Sequence, residues 1–131
     1  MNTMVKGELA QLKAELRAIE KGFITSRPTS VARYDLVVDD GSRLWRTQVK
    51  YAGAPSNKTP NSVVVSLSYQ ARDKSEHAYT EKEVDSLVVY VPQVDKLLWF
   101  TTEEFCGKLK LQIKFQGDRR SNSIWYEDYI W

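Results

Sequence analysis

The stretch Arg33-Tyr34-Asp35-Leu36-Val37-Val38-Asp39-Asp40-Gly41-Ser42-Arg43-Leu44-Trp45-Arg46-Thr47-Gln48-Val49-Lys50-Tyr51 decides how this chain reads. Tyr34 to Val38 is a strand-forming run rich in β-branched residues, and Asp39-Asp40-Gly41 behind it is a tight-turn signal, so Arg43 to Tyr51 returns as the second arm of a hairpin. The two aspartates form the turn and are not counted as ligands. Strand alternation places Arg46, Gln48 and Lys50 on one face and Trp45, Thr47 and Val49 on the other. Counted back from the turn, Asp35 and the Gln48–Lys50 pair lie toward the same end of the hairpin, within cross-strand reach. A carboxylate, an amide oxygen and an ammonium are thereby gathered at one edge.

Working outward, Val5, Leu9, Leu12, Leu16 and Ile19 step by four, three, four and three. That spacing predicts a helix over residues 4–21 with one apolar stripe turned to the sheet, Thr3 as its N-cap and Gly22 just past its end. Phe23-Ile24-Thr25 reads as a short strand stopped by Arg27-Pro28. Beyond the hairpin, Ala52 to Asn61 is a loop, Ser62 to Ser68 a strand, and Gln70 to Thr80 an exposed polar connection. Thr80-Glu81-Lys82-Glu83 matches a capping box. Leu87 to Val91 is a buried-type strand, Leu97 to Phe100 its return, Thr101 to Phe105 a short capped helix, and Leu109 to Phe115 a further strand. Gly117 to Asn122 is a basic loop. The chain ends in Trp125-Tyr126-Glu127-Asp128-Tyr129-Ile130-Trp131.

Composition narrows the function classes. A length of 131 residues suits one domain, residues 1–131, with ordinary globular proportions of apolar (42%) and charged (27%) residues. No apolar run approaches the ~20 residues of a membrane span. The N-terminus does not read as a signal peptide, so an intracellular protein of cytoplasm or nucleoid is expected, without a membrane partner. One cysteine, Cys106, excludes an internal disulfide, and one histidine, His77, excludes a histidine-rich metal centre and leaves little for a serine triad. Net charge is only +2, but it is polarised: between residues 41 and 75 six basic side chains face one acid, and between 76 and 104 two face seven. Such a chain can offer a polyanion one basic face.

The hairpin resembles the site of the PD-(D/E)XK nuclease superfamily, in particular the small homing endonucleases encoded in group I introns, which carry Q-x-K in place of (D/E)-x-K. The matching residues run through the chain in order: Gly7-Glu8, Ser26-Arg27-Pro28, Arg33 to Gly41, Gln48-Val49-Lys50, Val84-Asp85, and Trp125 to Tyr129. Two departures stand out. Tyr34, not proline, precedes Asp35, and Gln48 is neutral, which removes one negative charge from the metal site.

The resemblance implies an α/β restriction-endonuclease-like fold with an αβββαβ core and a mixed central sheet. It implies a Mg²⁺-dependent endonuclease (Mn²⁺ being able to substitute) that cleaves double-stranded DNA at specific sites and leaves a 3′-hydroxyl and a 5′-phosphate. Asp35 is then the main metal ligand, Gln48 adds its side-chain oxygen, Lys50 handles the attacking water, and Glu8 is the further helical ligand. The chemistry suits these types: Mg²⁺ takes few carboxylates and keeps several waters, and a nearby lysine can orient or deprotonate one of them. Arg27, Ser30, Arg33, Lys58, Arg72, Lys74, Arg119 and Arg120 are candidate DNA contacts. The rival functions are a Holliday junction resolvase or other structure-specific nuclease on the same fold, and a non-cleaving DNA-binding relative. A homo-oligomer, dimer or tetramer, is expected, because one small domain with one site does not cover a long target or cut both strands at once. The aromatic tail is either its seam or a segment packed back on its own domain.

Overall fold

A computed structural model describes residues 1–54, 60–119 and 122–131. Helix α1 (Thr3–Glu20) opens the fold. Its first turn is capped by Asn2, one residue earlier than expected, whose Oδ1 accepts the Val5 N–H at 2.9 Å. Gly22, at φ +81°, ends it with the left-handed turn that glycine adopts without strain. In chain order there follow β1 (Ile24–Ser26), β2 (Leu36–Asp39), β3 (Leu44–Tyr51), β4 (Ser62–Ser66), β5 (Ser68–Gln70), β6 (Glu76–Ala78), β7 (Ser86–Val91) and β8 (Lys96–Thr101). A short helix α2 (Thr102–Phe105), β9 (Lys110–Lys114), β10 (Ile124–Trp125) and a 3₁₀ turn (Tyr126–Tyr129) complete the described elements.

The central sheet has the order β1-β2-β3-β7-β8. It is mixed as expected: β3 and β7 pair in parallel and the other neighbours antiparallel. Strand β7 is buried along its whole length because both faces of the sheet are covered. Val88 and Tyr90 face α1, while Leu87, Val89 and Val91 face the other layer. That other layer is a second sheet, β10-β9-β4, whose Val63, Val65, Leu111 and Ile113 pack with Leu87, Val89, Leu98 and Phe100.

Two expectations are corrected. The connection from Gln70 to Thr80 contains a small hairpin, β5–β6, too short and polar to register as strands in the sequence. The apolar stripe of α1 faces outward: Leu12, Leu16 and Ile19 are 53, 58 and 65% exposed, and Ala10, Ala14 and Ala18 are the buried row. Alanines spaced by four let the helix approach the sheet closely, packing against Leu36, Val38, Val49, Val88 and Tyr90. Polar anchors on the sheet side fix this rotation. Gln11 Nε2 donates to the Asp35 carbonyl at 3.0 Å, Lys13 pairs with Asp95 at 3.3 Å, and Arg17 Nε donates to the Trp131 carbonyl at 2.8 Å.

Of the two alternatives left open for the aromatic tail, the structure shows packing on its own domain. Trp131 lies 5.0 Å from Trp99 between ring centres, and Tyr129 stacks on Phe100 at 4.6 Å. The Trp131 N–H donates to the Leu97 carbonyl at 2.9 Å, so the tail covers β8, an edge strand.

Candidate active site

The hairpin register builds the site. Leu36 pairs with Thr47, which sets Asp35, just before β2, beside Gln48. The Asp35 N–H donates to the Thr47 carbonyl at 2.9 Å, and Asp35 Oδ2 accepts the Val49 N–H at 2.8 Å. Thr47 and Val49 point to the α1 side, where Thr47 Oγ1 meets Ser86 Oγ at 2.8 Å and Val49 joins the alanine layer. Gln48 and Lys50 therefore project from the opposite face, as the alternation predicts. Gln48 is 8% exposed, and its amide forms no hydrogen bond with another described residue. The Lys50 ammonium lies 5.5 Å from the ring centre of buried Tyr79.

Burial dominates the electrostatics. It pushes the Asp35 carboxyl above its usual range, against the lowering effects of the Val49 N–H, Lys50 and Arg27. It pulls the Lys50 ammonium below the usual lysine value, against the opposing pull of Asp35. Tyr79, beside them, is raised to about 12 by burial and then by the Asp35 charge. Neither member of the Asp35–Lys50 pair is fully compensated by the other, the condition expected of groups kept for chemistry.

The structure does not unite all four catalytic candidates. Glu8 sits on the exposed surface of α1, one turn before Gln11, and pairs with Arg27 at 3.0 Å. Among the described residues no contact joins Glu8 to Asp35, and no group of three or more His, Cys, Asp or Glu side chains is placed to hold a metal. The donors that are present still suit a hard divalent cation. Asp35 offers its second carboxylate oxygen and Gln48 its amide oxygen, a sparse oxygen set of the kind that leaves most positions to water. Arg46, expected beside Gln48 and Lys50, is drawn off by Asp85, which accepts from its Nε at 3.0 Å and its Nη2 at 3.1 Å.

The candidate DNA contacts divide. Arg27 bridges Glu8 and Glu15, the latter at 2.5 Å, and these hydrogen bonds raise its pKa. Arg33 stacks over Tyr69 at 3.7 Å and pairs with Glu83 at 3.5 Å. Arg119 pairs with Asp128. Ser30, Arg72 and Lys74 are exposed, the last two in the β5–β6 turn. Lys58 and Arg120 lie outside the described residues. Sequence reasoning passed over Gln11 and Tyr79, the first a polar residue beside an apolar stripe and the second an aromatic inside a polar run, with no spacing signal to mark either.

No curated protein matches the chain. Among solved structures it is similar to the bacterial homing endonuclease I-Ssp6803I, with 27% identity and a TM-score of 0.82 over 99% of this chain and 89% of that one. The sequence model of the PD-(D/E)XK endonucleases matches residues 1–129, which takes in α1, the Asp35 hairpin and the tail as far as Tyr129. With this site on this mixed sheet, the chain belongs to the PD-(D/E)XK endonuclease family.

Proposed function

We propose that this endonuclease hydrolyses duplex DNA at specific sites with Mg²⁺, in the intron-homing role that its similarity to I-Ssp6803I suggests. The observation that carries this reading is the placement of Asp35, Gln48 and Lys50 at one end of the hairpin, with Lys50 partly withdrawn from water. Asp35 and Gln48 would hold the cation, with Glu8 joining them once released from Arg27. When bound, the cation neutralises charge on the scissile phosphate and acidifies a water. Lys50, whose pKa burial lowers, orients that water or takes its proton. The leaving 3′-oxygen is protonated from solvent and the phosphate stays on the 5′ end.

Cutting both strands calls for two sites, and the outward stripe of α1 supplies a surface to bring them together. Val5, Leu9, Leu12, Leu16 and Ile19 repeat as the a and d positions of a heptad, the pattern that seats one helix on another copy of itself. The stripe leaves on the order of 500 Å² of apolar side chain exposed per copy, so pairing buries about the minimum of a specific interface. The homo-oligomer expected from the sequence is therefore proposed to pair through α1, not through the tail.

Asp35→Asn and Lys50→Ala should each lower the Mg²⁺-dependent cleavage rate by roughly 10²–10⁴-fold. Affinity for the duplex should stay within a few-fold, since both residues act on the reacting phosphate and not on the wider contact surface. Cleavage of a duplex library and of a synthetic four-way junction, with binding measured in parallel, checks this. Wild-type rates in either variant would remove the site, and junction-only cleavage would remove the homing role.

A further inference from the structure

Three of the loop arginines, Arg27, Arg33 and Arg119, are already engaged by acids, which raises the question of where a patch of unpaired positive charge is built into the sheet. The answer is the outer face of the second sheet. Val63, Val65, Leu111 and Ile113 point inward and are buried, so the alternate positions point out. These form three cross-strand pairs: Ser62, itself buried, with Lys114, Val64 with Gln112 and Ser66 with Lys110. Ser62, Lys110, Gln112 and Lys114 line a groove of about 580 Å³ together with Lys108, and among the described residues no acidic side chain contributes to its wall. Lys108 and Lys110 make no ion pair with a described residue, and Lys114 donates to the backbone carbonyl of Asp118 at 2.5 Å.

The shape is as specific as the charge. Strand β10 pairs with β9 only at Ile113 and Lys114. Beyond that point the β4–β9 pair continues as a two-stranded ribbon, ending at Ser66 and Lys110. Strands lie ~4.8 Å apart and same-face side chains repeat every ~6.7 Å, so such a ribbon enters a B-DNA major groove ~12 Å wide. The outward residues are the types that read base edges there: glutamine for adenine, lysine for guanine or a phosphate, and a small apolar side chain for the thymine methyl. The ribbon packs on the same face of the central sheet from which Gln48 and Lys50 project, through the core it shares with Tyr79.

We infer that the β4–β9 ribbon is a base-reading element: its lysines anchor the duplex and Gln112 reads a base edge in the major groove. The inference rests on the duplex-DNA reading above, and its test measures binding only. Wild-type protein, the Lys108→Ala/Lys110→Ala/Lys114→Ala variant and Gln112→Ala are titrated in metal-free buffer with a mixed-sequence duplex over a range of salt. They are then used to select bound duplexes from a randomised library for sequencing. The triple variant should bind at least ~10-fold more weakly at low salt, and its log–log salt slope should be shallower by roughly 2–3. Gln112→Ala should keep the slope and lose ~5- to 100-fold of preference at one or two positions. Ser62→Ala, which breaks the Gln112–Ser62 bond of 2.9 Å but keeps the amide, should retain the wild-type profile. An unchanged slope in the triple variant, or an unchanged sequence profile in Gln112→Ala, would overturn the inference. A protein that bound duplex but never cut it would defeat the proposed function and leave this test standing.

Discussion

At the scale of single residues, the site holds two charged groups where burial works against both. A buried lysine lowered from its usual value costs stability at neutral pH, because the folded state resists its protonation, and a raised aspartate costs it for the converse reason. Lys50→Met keeps the apolar stem and removes the charge. It should raise the melting temperature by roughly 2–4 °C while abolishing cleavage, the usual exchange of stability for function. Calorimetry on the metal-free protein checks the first half. A melting temperature that falls instead would mean that Lys50 is held by attraction to Asp35 and serves the fold. The grouping of Asp35, Gln48 and Lys50 was readable because strand alternation has a fixed period and a turn fixes the register, whereas Glu8 came only from the family resemblance. What the sequence did not carry was the state of Glu8, since its partner Arg27 comes from another element.

At the scale of elements, β3 enters the parallel pairing through Arg46 and Asp85. Asp85 accepts the Arg46 N–H at 2.8 Å as well as the guanidinium, and its own N–H returns to the Arg46 carbonyl at 2.8 Å. The Arg46 side-chain bond, followed by its backbone N–H and the charges of Arg46 and Arg43, holds the Asp85 carboxyl below its usual range. A depressed carboxylate stabilises the fold above the unfolded value of about 3.9, and that stabilisation is lost as pH falls through the lower folded value. Asp85→Asn should therefore cost about 2 kcal/mol near neutral pH, with the gap to wild type closing below about pH 4. Urea titrations at several pH values read this, and a gap that persisted at low pH would assign the cost to packing. The same strap explains why Arg46 leaves the Gln48–Lys50 face, something alternation alone cannot foresee. Helix α1 was misjudged for a related reason. Periodicity identifies a stripe, but which stripe turns inward depends on the surface it meets, and a sheet already rich in Val, Leu and Tyr takes the small alanine row.

At the scale of the whole molecule, the proposed pairing through α1 rests on that rotation. Leu12→Asp/Leu16→Asp places charge on the exposed stripe and replaces no buried residue. The variant should keep the melting behaviour of an isolated chain, sediment as a monomer at micromolar concentration, and nick one strand of a supercoiled plasmid where wild type cuts both. Sedimentation velocity and plasmid cleavage together decide this; wild type that is itself monomeric, free and on DNA, would refute the α1 seam. The topology of the central sheet bears on a different question, that of timing. Strand β3 has its parallel neighbour β7 far along the chain, with Lys50 opposite Val89. A nascent chain that has already made Asp35, Gln48 and Lys50 still lacks the strand that flanks them. At ~5–20 residues per second the ribosome needs roughly 2–8 s more to deliver it, and non-local pairing of this kind closes slowly. The nuclease is thus born unarmed, and the interval between making its proposed catalytic residues and enclosing them is set by the order of its strands.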